Sequence, residues 1–141
     1  MLCGQIALVT GASRGIGRAI AVALGQAGAT VIGTATTDVG AANIQAALEA
    51  DGIRAWGATL DVTDASACVT VLEEIERRFG AVSILVNNAG ITRDNLAMRM
   101  KDADWDLVME TNLKAVFRLS RAVMRGMMKA RAGRIINITS V

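Results

Sequence analysis

The residues with the most chemistry in them come early in the chain. Between a short apolar run ending at Thr10 and a helical pattern starting at Ile16, the sequence reads Thr10-Gly11-Ala12-Ser13-Arg14-Gly15-Ile16-Gly17. Three glycines at this spacing let the backbone turn sharply and approach a ligand closely, where side chains would obstruct both. The helix beginning near Gly15 offers unpaired N–H groups and the positive end of its dipole to a pyrophosphate. A glycine turn alone is an ordinary loop feature, but a strand before it and an amphipathic helix after it point to dinucleotide binding. Roughly 20 residues further on, a carboxylate ending the second strand would accept hydrogen bonds from the ribose hydroxyls of NAD. Here that turn reads Gly33-Thr34-Ala35-Thr36-Thr37, and Asp38 arrives several residues late. Arg14, inside the glycine loop, can pair with a 2′-phosphate through its guanidinium, so NADP(H) is the expected cofactor. A plain solvated loop arginine is the other reading of Arg14.

What the chain lacks narrows the chemistry further. There is no histidine and no tyrosine among the 141 residues. Ser-His-Asp hydrolysis, histidine acid/base catalysis and tyrosine proton transfer are therefore excluded for this chain as it stands. The two cysteines, Cys3 and Cys68, have no CxxC spacing and no histidine to join them, so no metal is expected and both thiols read as reduced and structural.

The elements that must position the glycine loop alternate regularly. Gln5 to Thr10 reads as a strand, followed by a helix whose apolar positions Ala19, Ile20, Ala23, Leu24 and Ala27 predict one buried face and an end at Gly28. Thr30 to Thr34 is a second strand. Ile44, Ala47 and Leu48 mark a second helix stopped at Gly52, and Arg54 to Leu60 a third strand. Thr63 or Asp64 caps a third helix with Cys68, Val71, Leu72, Ile75 and Phe79 on one face before Gly80. Val82 to Asn87 is strand four. One long helix is expected from about Asp104 to Ala130, stopped at Gly133, with Leu107, Val108, Val116, Phe117, Leu119, Ala122 and Val123 in helical spacing. Arg134 to Thr139 is strand five. Strands and helices alternating at these lengths require right-handed crossovers and a parallel sheet, the doubly wound α/β architecture of the Rossmann type.

Composition sets the remaining bounds. A 52% hydrophobic chain of this length suits one domain over residues 1–141 with a real core. The net charge is only +2, with 20% charged residues, so no nucleic-acid footprint or anionic-membrane patch is expected. No apolar run is long enough to span a bilayer, and the N-terminus does not read as a signal peptide, so the expected location is cytoplasmic.

Set beside Asn87-Asn88-Ala89-Gly90 at the end of strand four, the glycine loop makes the sequence resemble the short-chain dehydrogenase/reductase family along its whole length. The resemblance implies that Gly11, Ser13, Arg14, Gly15, Ile16, Gly17, Thr37, Asp61, Val62, Asn88, Ala89 and Gly90 bind the cofactor. It also implies that Asn112, within Glu110-Thr-Asn-Leu113, and Ser140, after strand five, are catalytic. Within the family the chain is most similar to the β-ketoacyl-acyl-carrier-protein reductases, through residues 33–37, 90–100 and 110–128. That implies hydride transfer from NADPH to a 3-oxoacyl thioester, carried by acyl carrier protein or coenzyme A, in fatty-acid synthesis. Acetoacetyl-CoA reductases and other ketoreductases share similar segments. A sugar-nucleotide epimerase of the extended family would want an acidic residue after strand two and gives no reason for the Asn-Asn-Ala-Gly motif.

In such enzymes serine orients the carbonyl, tyrosine donates the proton and lysine holds the ribose, supported by an asparagine. Only Asn112 and Ser140 of this set fall within the chain. The expectation is therefore an N-terminal portion, stopping just after the catalytic serine and inactive alone; a non-catalytic NADP(H)-binding module is the competing class. The family's strand order 3-2-1-4-5 would leave strands four and five bare on one face of the sheet, and strand five as an exposed edge prone to self-association. The resemblance further implies a dimer or tetramer built partly through the long helix. Met98, Met100, Met109, Met124, Met127 and Met128 would fill packing gaps or a subunit interface. Lys129 and Arg131 at the end of that helix read either as docking residues for an acidic carrier or as a solvated helix end.

Overall fold

The computed structural model describes residues 1–89 and 101–138. Five strands, β1 (Ile6–Val9), β2 (Thr30–Ala35), β3 (Ala55–Thr59), β4 (Ile84–Asn87) and β5 (Arg134–Asn137), form one parallel sheet in the order β3-β2-β1-β4-β5. This is the expected doubly wound order. Connecting them are α1 (Gly15–Gln26), α2 (Asp38–Ala50), α3 (Ala65–Arg78), α4 (Asp102–Met109) and α5 (Ala115–Ala130). Right-handed crossovers divide these helices between the two faces of the sheet. On one face α1 and α2 pack on Ala7, Val9, Val31 and Val86 through Ala21, Ile44 and Leu48. On the other, α3 and α5 pack on Leu8, Ile32 and Leu85 through Cys68, Leu72, Ile75, Leu119 and Val123.

Asp64, not Thr63, caps α3: its Oδ1 accepts from the Ala67 amide at 3.1 Å and the Ser66 hydroxyl at 2.9 Å. Those two bonds hold its carboxyl below the usual carboxylate range. Thr37 caps α2 by accepting from the Gly40 amide at 3.0 Å.

Four expectations need correction. Ala19 and Ala23 are exposed; the buried side of α1 carries Gly17 and Ala21, because the helix lies so close to the sheet that only the smallest residues fit beneath it. β4 is buried at every position, so it is not bare on either face, whereas every residue of β5 is exposed, Ile135 at 37% and Ile136 at 44%. The expected long helix starts at Asp102 and is split by a π turn at Glu110–Lys114. The wider turn shifts the helical phase, so Ala115, Leu119 and Val123 form the buried stripe while Leu107, Phe117 and Ala122 face outward. Finally, Arg131 (φ 55°), not Gly133, is the left-handed residue that ends α5. Gly133 serves a different purpose, since a Cβ there would overlap the Met127 side chain.

One cysteine only is part of the core. Cys68 is 1% exposed, with Sγ 3.7 Å from the Val62 carbonyl, and burial pushes its thiol pKa up; Cys3 is exposed. A thiol reagent at neutral pH should therefore label one cysteine per native chain rapidly and the second only on unfolding, counted by mass. Rapid labelling of both in the native protein would contradict this packing.

Candidate functional site

The C-terminal ends of β1, β2 and β4 converge where the sheet order reverses, the place at which open α/β sheets bind ligands. Thr10, directly after β1, organises this corner. Its hydroxyl oxygen accepts from the Asn88 amide at 3.0 Å and the Ala89 amide at 2.9 Å, and the hydroxyl donates to the Val86 carbonyl at 3.4 Å. The Asn88 side-chain Nδ2 donates to the Gly11 carbonyl at 3.0 Å. The glycine loop and the Asn-Asn-Ala segment are thus one hydrogen-bonded unit. On the other side, Thr34 of β2 accepts from the Gly11 amide at 3.3 Å, and the Ala12 amide donates to the Thr34 carbonyl at 2.8 Å.

The glycines are dictated by this crowding. A Cβ on Gly17 would overlap both the Gly11 carbonyl and the Asn88 amide group, and one on Gly11 would sit 3.0 Å from the Ala89 Cα. Gly15 differs: nothing lies near its Cβ position, but its φ of +60° is left-handed. The helix it opens has Arg14 as N-cap with no side-chain cap hydrogen bond, whereas Thr37 and Asp64 cap α2 and α3. The first amides of α1 are thereby left for a ligand, and anionic oxygen is the chemistry they suit.

Ser13, Arg14 and Ile16 are exposed around that helix start. A Cβ on Gly40 would lie 3.9 Å from the Ser13 Cβ, so the first turn of α2, which Thr37 caps, comes close to the glycine loop at Gly40. Asp61, just past β3, is exposed, with Oδ1 accepting from the Thr63 amide at 2.9 Å and the Thr63 hydroxyl at 2.6 Å; Val62 is buried. Asn112 lies half-buried within the π turn. Gly90 and Ser140, with Met98 and Met100, lie outside the described residues.

Residue patterns alone did not reveal several supports of this corner. Asn87, 6% exposed, donates through Nδ2 to Asn137 Oδ1 at 2.9 Å and to Ser120 Oγ at 3.3 Å, joining β4, β5 and α5. Arg118 of α5 donates to the Val62 and Thr63 carbonyls at 3.1 and 3.2 Å and fixes the loop that presents Asp61. Thr10 and Thr34, both at most 1% exposed, were legible only as threonines in otherwise apolar strand ends. Among the described residues there is no cluster of three or more potential metal ligands, and no helix is long and apolar enough to cross a membrane.

A doubly wound sheet whose glycine loop is locked to an Asn-Asn-Ala segment defines a class of nucleotide-dependent oxidoreductase folds, and the short chain dehydrogenase family model matches residues 5–141. The chain belongs to that family. It is 64% identical over 138 residues to the 3-oxoacyl-[acyl-carrier-protein] reductase FabG of Salmonella typhimurium, 63% identical to that of Escherichia coli K12, and 57% identical over 140 residues to that of Pseudomonas aeruginosa. These matches cover 98–99% of this chain but only 55–57% of each relative, so the chain spans about half the length of the relatives it matches.

Proposed function

We propose that this chain is the cofactor-binding part of an NADPH-dependent reductase that converts a 3-oxoacyl thioester, carried on acyl carrier protein, to the 3-hydroxyacyl thioester in fatty-acid synthesis. The observation that carries this reading is the hydrogen-bonded lock between the glycine loop and Asn88–Ala89, in a chain 57–64% identical to three named 3-oxoacyl-[acyl-carrier-protein] reductases. The site fits the cofactor: the uncapped start of α1 suits its pyrophosphate, and Arg14 with Thr37 suits a 2′-phosphate. Asp61 and Val62 would border the adenine, and Asn88, Ala89 and Gly90 the ribose nearer the nicotinamide. When bound, NADPH supplies the hydride. Asn112 and Ser140 would then hold the carbonyl region of the substrate in place.

Arg14→Ala should weaken NADPH at least about tenfold while changing NADH little, since only one of the two carries the phosphate that a guanidinium would pair with. Titration of both cofactors reads this out, and equal losses would refute the phosphate assignment. The chain by itself, without a tyrosine, is expected to bind NADPH and not consume it when a 3-oxoacyl thioester is added. A second reading is a non-catalytic NADP(H)-binding module. Kinetics of the longer protein on carrier-protein and coenzyme A thioesters would separate a carrier-protein reductase from an acetoacetyl-CoA reductase.

The proposed setting is the cytoplasm. The proposed assembly is a dimer or tetramer contacting through α5, whose outward side carries exposed Phe117, Met124 and Met128, with exposed Leu113 in the π turn before it. Lys129 and Arg131, exposed at the end of that helix, suit an acidic carrier.

A further inference from the structure

Asp38 is the first acidic residue of the chain and sits at the start of α2, one residue after Thr37. A carboxylate in that turn is the group that would accept from a ribose 2′-hydroxyl and repel a 2′-phosphate. Yet the structure turns it aside. Thr59, the last residue of β3, donates its hydroxyl to Asp38 Oδ1 at 2.6 Å. Thr59 is the register partner of Ala35 at the end of β2, and the order β3-β2-β1 puts β3 on the side of β2 opposite the glycine loop. It is at Gly40, in the same helical turn, that α2 comes close to the loop, where a Cβ would lie 3.9 Å from the Ser13 Cβ. The first turn of α2 therefore meets the loop at uncharged Gly40 and turns its one charge toward β3.

Resting on the NADP(H) reading above, we propose that Thr59 is a positioning residue for cofactor choice: its hydroxyl parks the Asp38 carboxylate over β3 and keeps the turn open to a 2′-phosphate. Thr59→Val removes that hydroxyl at nearly constant volume and frees the carboxylate to swing toward the loop. Calorimetric titration of the protein with adenosine 2′,5′-bisphosphate and with 5′-AMP, which differ only in the 2′-phosphate, isolates the effect. Affinity for the bisphosphate should fall roughly three- to tenfold in Thr59→Val, with 5′-AMP unchanged or tighter. Adding Asp38→Asn in the same chain should restore the original ratio. Asp38→Glu, which carries the charge past the hydroxyl without touching β3, should lower the ratio as well, and serves if Thr59→Val does not fold. A merely structural tie between α2 and β3 predicts a lower Tm and equal losses for both ligands. That result, or a ratio unchanged in both Thr59→Val and Asp38→Glu, overturns the proposal. A parent protein that shows no preference for the bisphosphate instead overturns the NADP(H) reading itself.

Discussion

Replacing Gly17 with alanine is expected to abolish useful nucleotide binding and to lower stability. The added methyl group has no free space, because it would overlap the Gly11 carbonyl and the Asn88 side-chain amide. Both of those groups belong to the unit that fixes the glycine loop against the Asn-Asn-Ala segment, and they are hydrogen-bonded to each other. Relief requires either breaking that bond or moving the start of α1 away from β1. The first leaves a polar pair unsatisfied, and the second displaces the amides proposed to hold the pyrophosphate. Overpacking of this kind typically costs ~1–3 kcal/mol. For nucleotide affinity we expect a loss of roughly a hundredfold, corresponding to ~2.7 kcal/mol of misplaced contacts. Thermal unfolding and cofactor titration of Gly17→Ala read out the two effects separately. Wild-type affinity with an unchanged Tm would mean that the loop does not pack as described.

The second large effect is expected at Thr10. Valine matches threonine in shape but cannot accept a hydrogen bond, so Thr10→Val strands the Asn88 and Ala89 amides together. Both amides are only partly buried, so each lost bond costs toward the low end of the range for an unpaired donor, about 1 kcal/mol. Two such losses should lower Tm by roughly 4–8 °C, taking about 2–4 °C per kcal/mol for a chain of this size. Because the same amides set the path of the Asn-Asn-Ala segment, cofactor affinity should fall alongside. Thr10→Ser retains the hydroxyl and should recover most of both properties. A Thr10→Val protein with unaltered melting would imply that water replaces the hydroxyl, and would remove Thr10 from its organising role.

The parts of the fold that were legible in the sequence are those where hydrophobic period and turn chemistry agree. The alternation of strands and helices, a cap at Thr63 or Asp64 and the glycine loop rest on such local signals, whereas the strand order and the division of helices between the two faces came from the family resemblance. Of the expected α1 face, Ile20 and Leu24 do pack against the core while Ala19 and Ala23 do not, because apolar spacing counts alanines on either side equally. What decides the face is how close the helix approaches the sheet, and that closeness shows in Gly17 rather than in Ala19 or Ala23. The state of β4 was also misjudged: Ile84 and Val86 pack among the residues of α1 and the strands beside it, contacts set by tertiary placement. Of the site, the glycine loop could be read from residue types. The hydroxyl and amide bonds that lock it could not, because Thr10, Thr34, Asn87 and Ser120 lie up to 79 residues from their partners. Asp38 shows the same limit, since its distance along the chain from the expected position says nothing about the Thr59 hydroxyl that holds it.

The π turn at Glu110–Lys114 has a consequence for how this chain can change. A π turn contains one residue more than the α-helical turn it replaces, and its hydrogen bonding is the less favourable of the two. Losing any single codon between those positions would let the helix close into an uninterrupted α ladder. The shortened helix would be locally sounder, and the segments on either side would keep their present relative bearing, because the π turn already absorbs the one residue that is lost. The stripe Ala115–Leu119–Val123 would stay in the core, and the cost would fall on the turn itself, where Asn112 would lose its present placement. The length of this stretch is thus a constraint separate from its composition: drift that conserves every residue type but drops one position would trade placement for helix regularity.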